Sequence, residues 1–322
     1  MNAVLTDDEV DVLLTAAAHA PSMYNTQPWR FEVHGPVIDI LADEERLLPI
    51  ADPAGRGACI AIGAAAFNLR VAAAVLGHKS RLVVNPDPAL PEVVARLFLD
   101  DRNTPVPELG KLYAEVSERH TYRGPLLDVP IPRPVQRHLD DAARREGAKL
   151  HWLGSTAMSQ LAELQRQTDA ADLVDEDRLH ERLRWIGGDP SGDGIPADTL
   201  GPLPARPAFV RDLSLGLDTS HRDRVEYETH PAIAVLSTED EDSAGWIGAG
   251  VALQRVLLVA TSYDLTASFL NQVLERPADR ARVRELIGGR SWPQMVLRVG
   301  YPAQPASHTS RLDWRSSFDQ WF

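Results

Sequence analysis

The sequence predicts an α+β protein built from two related halves, and three observations carry that expectation. Stretches of helical apolar period alternate with short β-branched runs, so neither element type dominates. GAAAFNLRVAAAVLGH (63–78) and GVALQRVLLVATSYDL (250–265) align without a gap, both rich in small and aliphatic residues with helical spacing. Each is followed by a polar turn and then a strand-helix-strand pattern, so the same order of elements is expected twice, with the boundary near Glu118 and halves of 1–117 and 118–322.

Taken in order, Thr6 followed by Asp7, Asp8 and Glu9 is a helix start, a capping hydroxyl with acids in the first turn. Val10, Leu13, Leu14 and Ala17 supply the apolar face, and Pro21 ends the helix. PSMYNTQPW (21–29) is a turn bracketed by prolines, and Arg30 to Leu41 reads as two strands joined at Gly35-Pro36. Residues 63–77 form a buried helix closed by a glycine. PVQRHLDDAARREGAKLHWLG (134–154) echoes the opening helix and strand but carries no counterpart of PSMYNTQPW. Residues 187–207 are too rich in glycine and proline for a regular helix or inner strand. Flanked by Trp185, Ile186, Phe209 and Val210, that segment is expected to pack as a lid.

Composition excludes several classes. A net charge of −13 and a pI near 5.2, with only Lys79, Lys111 and Lys149 as lysines, do not suit a nucleic-acid binder. Cys59 is alone, which fits a reducing cytoplasm and allows neither an intrachain disulfide nor a cysteine zinc cluster. The start, MNAVLTDDEVDVLL, lacks the features of a signal peptide, and no stretch is expected to span a bilayer. GWIGAG (245–250), HRDR (221–224) and GDPSGDG (188–194) lack the context of a dinucleotide, kinase or calcium motif, and the histidines show no metal-ligand spacing.

Other segments carry chemistry. APSMYNTQPWRFEV (20–33) resembles the APSxxNxQPWxF signature of FMN-dependent nitroreductases, and RHTYR (119–123) resembles their phosphate motif. YDLTASFL (263–270), PQMVLRVGYP (293–302) and TSRL (309–312) follow in the family's order, so the resemblance spans residues 10 to 312. It implies a nitroreductase-like fold with FMN as cofactor, NAD(P)H as electron donor and a small nitroaromatic, quinone or similar acceptor. Arg119, Thr121 and Arg311 suit the flavin phosphate, because guanidinium forks bind phosphate bidentately and a hydroxyl adds a donor. Arg123 suits the pyrimidine edge, where negative charge develops on reduction. Ser22, Asn25 and Gln27 would face the ring or ribityl chain, and backbone N–H groups near Ser268 and Phe269 would approach N5.

Typical members are homodimers with two flavin sites. Here the first half holds PSMYNTQPW, while RHTYR, TASFL and Arg311 lie in the second. One complete set and one degenerate set therefore imply a fused pseudo-dimer with a single FMN, similar to the Acg subfamily, running as a monomer or weak homodimer. Two functions follow from the resemblance, an NAD(P)H oxidoreductase or a storage protein whose lid shields the flavin. A third reading is an interaction protein without a cofactor.

Overall fold

The computed structural model describes residues 5–87, 89–100, 106–188, 192–214, 217, 220, 222–305 and 307–317. Its first helix, α1 (Asp7–Ala18), closes a capping box: the Glu9 carboxylate accepts from the Thr6 N–H at 2.9 Å, and the Thr6 hydroxyl accepts from the Glu9 N–H. Leu13, Leu14 and Ala17 face the core. β1 (Trp29–His34) and β2 (Val37–Ala42) form the expected hairpin. α2 (Arg56–Val75) begins earlier than its small-residue run suggests and ends just before Gly77, whose φ of +85° stops it. β3 (Ser80–Val84) and β4 (Val93–Leu99) then pair directly with each other. The helix expected between them is not formed, since Pro86 and Pro91 punctuate a loop that returns the chain at once.

After the short helices α3 (Pro107–Gly110) and α4 (Ala114–Glu118), the chain crosses to a second sheet, where Thr121 bridges Ala267. There α5 (Arg133–Arg145) and β5 (Lys149–Trp152) repeat the opening helix and strand. The helices α6 (Ser155–Asp172) and α7 (Glu176–Trp185) and the two-residue strands β6 (Leu203–Pro204) and β7 (Arg224–Val225) precede β8 (Ala232–Thr238). α8 (Ser243–Thr261), β9 (Thr266–Phe269), α9 (Pro277–Leu286) and β10 (Trp292–Gly300) complete the half, here with the expected strand-helix-strand order. The two four-stranded sheets are ordered β1-β2-β4-β3 and β5-β8-β10-β9, so each places its strands first, second, fourth, third.

Between the sheets α2 and α8 cross through a reciprocal contact. A Cβ on Gly63 would lie 2.1 Å from the Ile247 carbonyl oxygen, and one on Gly250 would lie 1.9 Å from that of Ile60. Only glycine permits so close an approach of two backbones. The glycines that meet are the two that the repeat aligns. Ile60 packs into the second half's core, while Val251 and Leu258 pack into the first. Both helices are long and apolar enough to cross a membrane by length and composition, contrary to the expectation that no stretch would be. Their apolarity is used instead by contacts on nearly every side, with 72% and 67% of the respective windows buried.

The Gly/Pro-rich segment is irregular, as expected, but well packed where it is described; residues 189–191 and His221 lie outside the described residues. The Gly187 N–H donates to the Ile195 carbonyl at 2.8 Å, and the Ile195 N–H to that of Trp185 at 2.7 Å, pinning the segment's base. Ile186, Ile195 and Leu200 pack with Tyr24, Leu48 and Ala51 from the first half, and Trp185 lies against them. Phe209 anchors in a different cluster, around Leu161 and Val273.

Candidate flavin site

The 21–28 loop holds three non-glycine residues with left-handed backbone: Tyr24 (φ 50°), Asn25 (φ 58°) and Gln27 (φ 53°). Each costs on the order of 1–3 kcal/mol and persists only where surrounding contacts impose it. Those contacts are present. The Ser22 hydroxyl accepts from the Gln27 N–H at 2.9 Å. Asn25 Nδ2 donates to the carbonyls of Gly194 at 2.9 Å and Ser310 at 3.1 Å. Gln27 Nε2 donates to the Gly192 carbonyl at 2.8 Å, and its Oε1 accepts from the Leu312 N–H at 3.1 Å. The loop is thus tied to the Gly/Pro-rich segment and to the C-terminal segment.

Beside it lies a cavity of about 340 Å³, within the usual range for small-molecule sites. Ser22 and Tyr24 line it from the loop, Arg56 and Ile60 from α2, Thr121 and Arg123 from the RHTYR segment, and Ser268 and Phe269 from β9; Ile195 closes one side. Charged groups on its wall are mostly paired. Arg211 meets Glu275 at 2.7 Å and donates to the Tyr24 hydroxyl at 3.0 Å, Arg280 meets Glu241 at 2.7 Å, and buried Arg298 grips Glu228 at 2.5 and 2.6 Å. Arg298 also donates to the Ser268 hydroxyl, which sets that side chain. Arg56 has oxygen partners in Gln294, at 2.7 Å to the carbonyl, and in the Leu274 carbonyl.

A different arrangement surrounds the RHTYR segment. Arg119 is buried, donates from Nη2 to the His19 carbonyl at 3.0 Å, and leaves Nε without a partner. Arg311 donates from Nη1 to Thr309 and Ser310 of its own segment, and its Nε is likewise unpartnered. Arg123 donates to the Thr199 carbonyl at 3.4 Å. None of the three forms an ion pair among the described residues. Burial pulls Arg119 down to about 9 and Arg123 to about 10, and in both the positive charge of Arg311 adds to the effect; burial alone takes Arg311 to about 10. The His120 ring, in edge contact with that of His308, is pulled down to about 4 by burial and then by Arg119, His308 and Arg311. Arg119 is buried and Arg123 and Arg311 are half-buried, and cations in such surroundings without carboxylate partners are costly.

The structure therefore brings Ser22, Thr121, Arg123, Ser268 and Phe269 to one cavity and gathers Arg119 and Arg311 with Arg123 by charge. Asn25 and Gln27 are not on the cavity wall. Their amides are engaged by backbone of residues 192–194 and 310–312. Sequence reasoning missed Tyr24, Arg56, Arg211 and Glu275. Tyr24 stands inside PSMYNTQPW and so carried a signal; the others lie in segments without a motif.

No family model matches the chain. At the level of whole sequences, "Putative NAD(P)H nitroreductase Rv3131" of Mycobacterium tuberculosis is 30% identical over 326 residues, covering 97% of this chain and 92% of that relative. "Putative NAD(P)H nitroreductase acg" of the same organism is 28% identical over 300 residues, covering 92% and 90%. An FMN-bound nitroreductase structure from Bacteroides fragilis aligns with 63% of this chain and 95% of its own at 14% identity and a TM-score of 0.40. The α+β fold with two like-ordered sheets and a cationic cavity thus occurs in a chain whose full length matches nitroreductases. The chain belongs to the nitroreductase-like family.

Proposed function

We propose that this protein binds one FMN in the cavity and acts as an NAD(P)H oxidoreductase toward nitroaromatic, quinone or similar acceptors. The observation that carries the reading is that Arg123 lines the cavity with Thr121, Ser268 and Phe269, that the charge of Arg311 bears on both Arg123 and buried Arg119, and that none of the three arginines has a carboxylate partner among the described residues. The residues fit the cofactor. The unpartnered Nε atoms of Arg119 and Arg311 suit a phosphate, Arg123 lies on the cavity wall where it would hold the ring's anionic edge, and the largely apolar cavity suits a planar ring. Bound there, the flavin would supply two-electron redox chemistry. The chain's own part is to bind it, orient it and limit water access through the Ile195 side of the cavity.

On this reading residues 1–117 and 118–322 are two nitroreductase-like halves forming an intramolecular pseudo-dimer. The shared strand order and the reciprocal Gly63 and Gly250 contact support it. One observation favours the second reading, a storage protein with little turnover: the packing of Ile186, Ile195 and Leu200 onto Tyr24 and Leu48, which would act as a lid. Anaerobic mixing of the flavin-loaded protein with NAD(P)H tests the two. Rapid bleaching of the flavin bands is expected of an oxidoreductase, whereas bleaching by dithionite alone would favour storage.

A further inference from the structure

Trp292, Met295 and Arg298 all line the cavity, so it follows β10 from one end of the strand toward the other, over about 20 Å at the usual rise per residue. At one end Arg298 donates to the Ser268 hydroxyl at 3.2 Å and to the Gly124 carbonyl at 3.1 Å, which places the RHTYR segment there. The Trp292 end has a chemistry of its own. The amide oxygen of fully buried Gln294 accepts from Arg280 Nη2 at 2.9 Å and from Arg56 Nη1 at 3.3 Å, so two guanidiniums on the cavity wall share one neutral side chain. Gln294 Nε2 donates in turn to Glu241 at 3.0 Å, and Glu241 pairs with Arg280. No acid among the described residues pairs with Arg56. Asp52, on the same wall, is turned to the start of α2, where it accepts from the Ala58 N–H at 2.9 Å. Burial first, and then the charge of Arg280, pull Arg56 down to about 10. Aromatic surface lies beside these charges. The Trp292 ring has Arg284 at 3.8 Å and Arg280 at 5.8 Å from its centre, and Trp246, at the start of α8, lines the cavity with it.

We propose that the Trp292 end of the cavity binds an aromatic carboxylate, its ring against Trp246 and Trp292 and its carboxylate on Arg56 and Arg280. Two cations and one acid leave room for a single further negative charge, and a guanidinium fork matches the two oxygens of a carboxylate. Paired indoles supply the flat apolar surface that an aromatic ring needs. Gln294 is a positioning residue, since its amide sets the spacing of the two arginines. That the occupant serves as the electron acceptor rests on the flavin reading; that it is an aromatic monoanion rests on this end of the cavity alone. The wide range of nitroaromatic and quinone acceptors is thereby narrowed to those carrying an acid group.

Calorimetric titration of the whole chain with 4-nitrobenzoate and with its neutral counterpart 4-nitrobenzamide, before and after saturation with FMN, is the test. The benzoate should bind about ten- to hundredfold more tightly, the worth of a charge-assisted hydrogen bond. Arg56→Gln should remove that preference and leave the benzamide unchanged, which doubles as a check on folding. Glu241→Gln frees Arg280 from its own acid and should tighten the benzoate severalfold, a gain that no folding defect would produce. Equal affinity for the two probes in a protein that binds FMN would overturn the proposal and leave the flavin reading standing. A benzoate preference in a protein that binds no FMN would keep this site and discard the flavin reading. A preference that survives Arg56→Gln, an equal loss for both probes in that variant, or no binding of either probe would each overturn the assignment.

Discussion

Arg119 is buried and Arg123 and Arg311 are half-buried, and no acid among the described residues pairs with them, so their charges are costly to the fold and, on the flavin reading, are offset by a ligand anion. Arg119→Ala should therefore weaken FMN by about ten- to hundredfold, the worth of a charge-assisted hydrogen bond, and barely touch riboflavin. Fluorescence titration with both flavins reads this, and an equal loss would remove Arg119 from the phosphate site. His120 adds a pH dependence. Its folded value, about 4, lies below the ordinary histidine value, so between the two the unfolded chain binds a proton that the folded chain does not. The stability contributed by neutral His120 is full above about pH 6.5 and is lost as the pH falls toward 4, with His19, also lowered by burial, acting in the same direction. Urea midpoints of the flavin-free protein should fall across that window, and His120→Asn should flatten part of the slope; an unchanged slope would exclude His120 as its source. At this scale the sequence showed which residue types stand together in RHTYR and PSMYNTQPW. It did not show what Asn25 and Gln27 hold, because their partners at 192–194 and 310–312 are joined to them only by folding.

Among the elements, α2 and α8 carry the most specific geometry. An alanine at Gly63 or Gly250 would drive a methyl into a carbonyl on the facing helix, and overpacking of this kind costs roughly 1–3 kcal/mol or more. Denaturant midpoints of Gly63→Ala and Gly250→Ala should both drop, whereas an unaffected variant would mean the helices separate easily. The alignment of the two glycines was legible in the sequence, but not that they meet, because the crossing exists only once the two segments pack together. The region between β3 and β4 misled for the opposite reason, since the repeat suggested a helix that prolines on that side forbid. The Gly/Pro-rich segment was legible as irregular, though its contact with Tyr24 and Leu48 was not, because it depends on where the other half lies. Replacing 187–207 with a short Gly/Ser linker should speed bleaching by NAD(P)H while FMN stays bound. Release of FMN would make the segment part of the binding site, and an unchanged rate would dismiss the lid.

For the whole molecule, α2 and α8 pack closely on each other, and the cavity draws its walls from residues on both sides of Glu118. Of Arg119, Arg123 and Arg311, Arg123 lines it. One phosphate-bearing flavin per chain is expected, and a titration of the flavin-free protein with FMN, read by fluorescence quenching against a known protein concentration, tests it. Saturation should come at one FMN per chain, with riboflavin binding more weakly to the same site. Saturation at two FMN per chain, or no saturable binding at all, would contradict it.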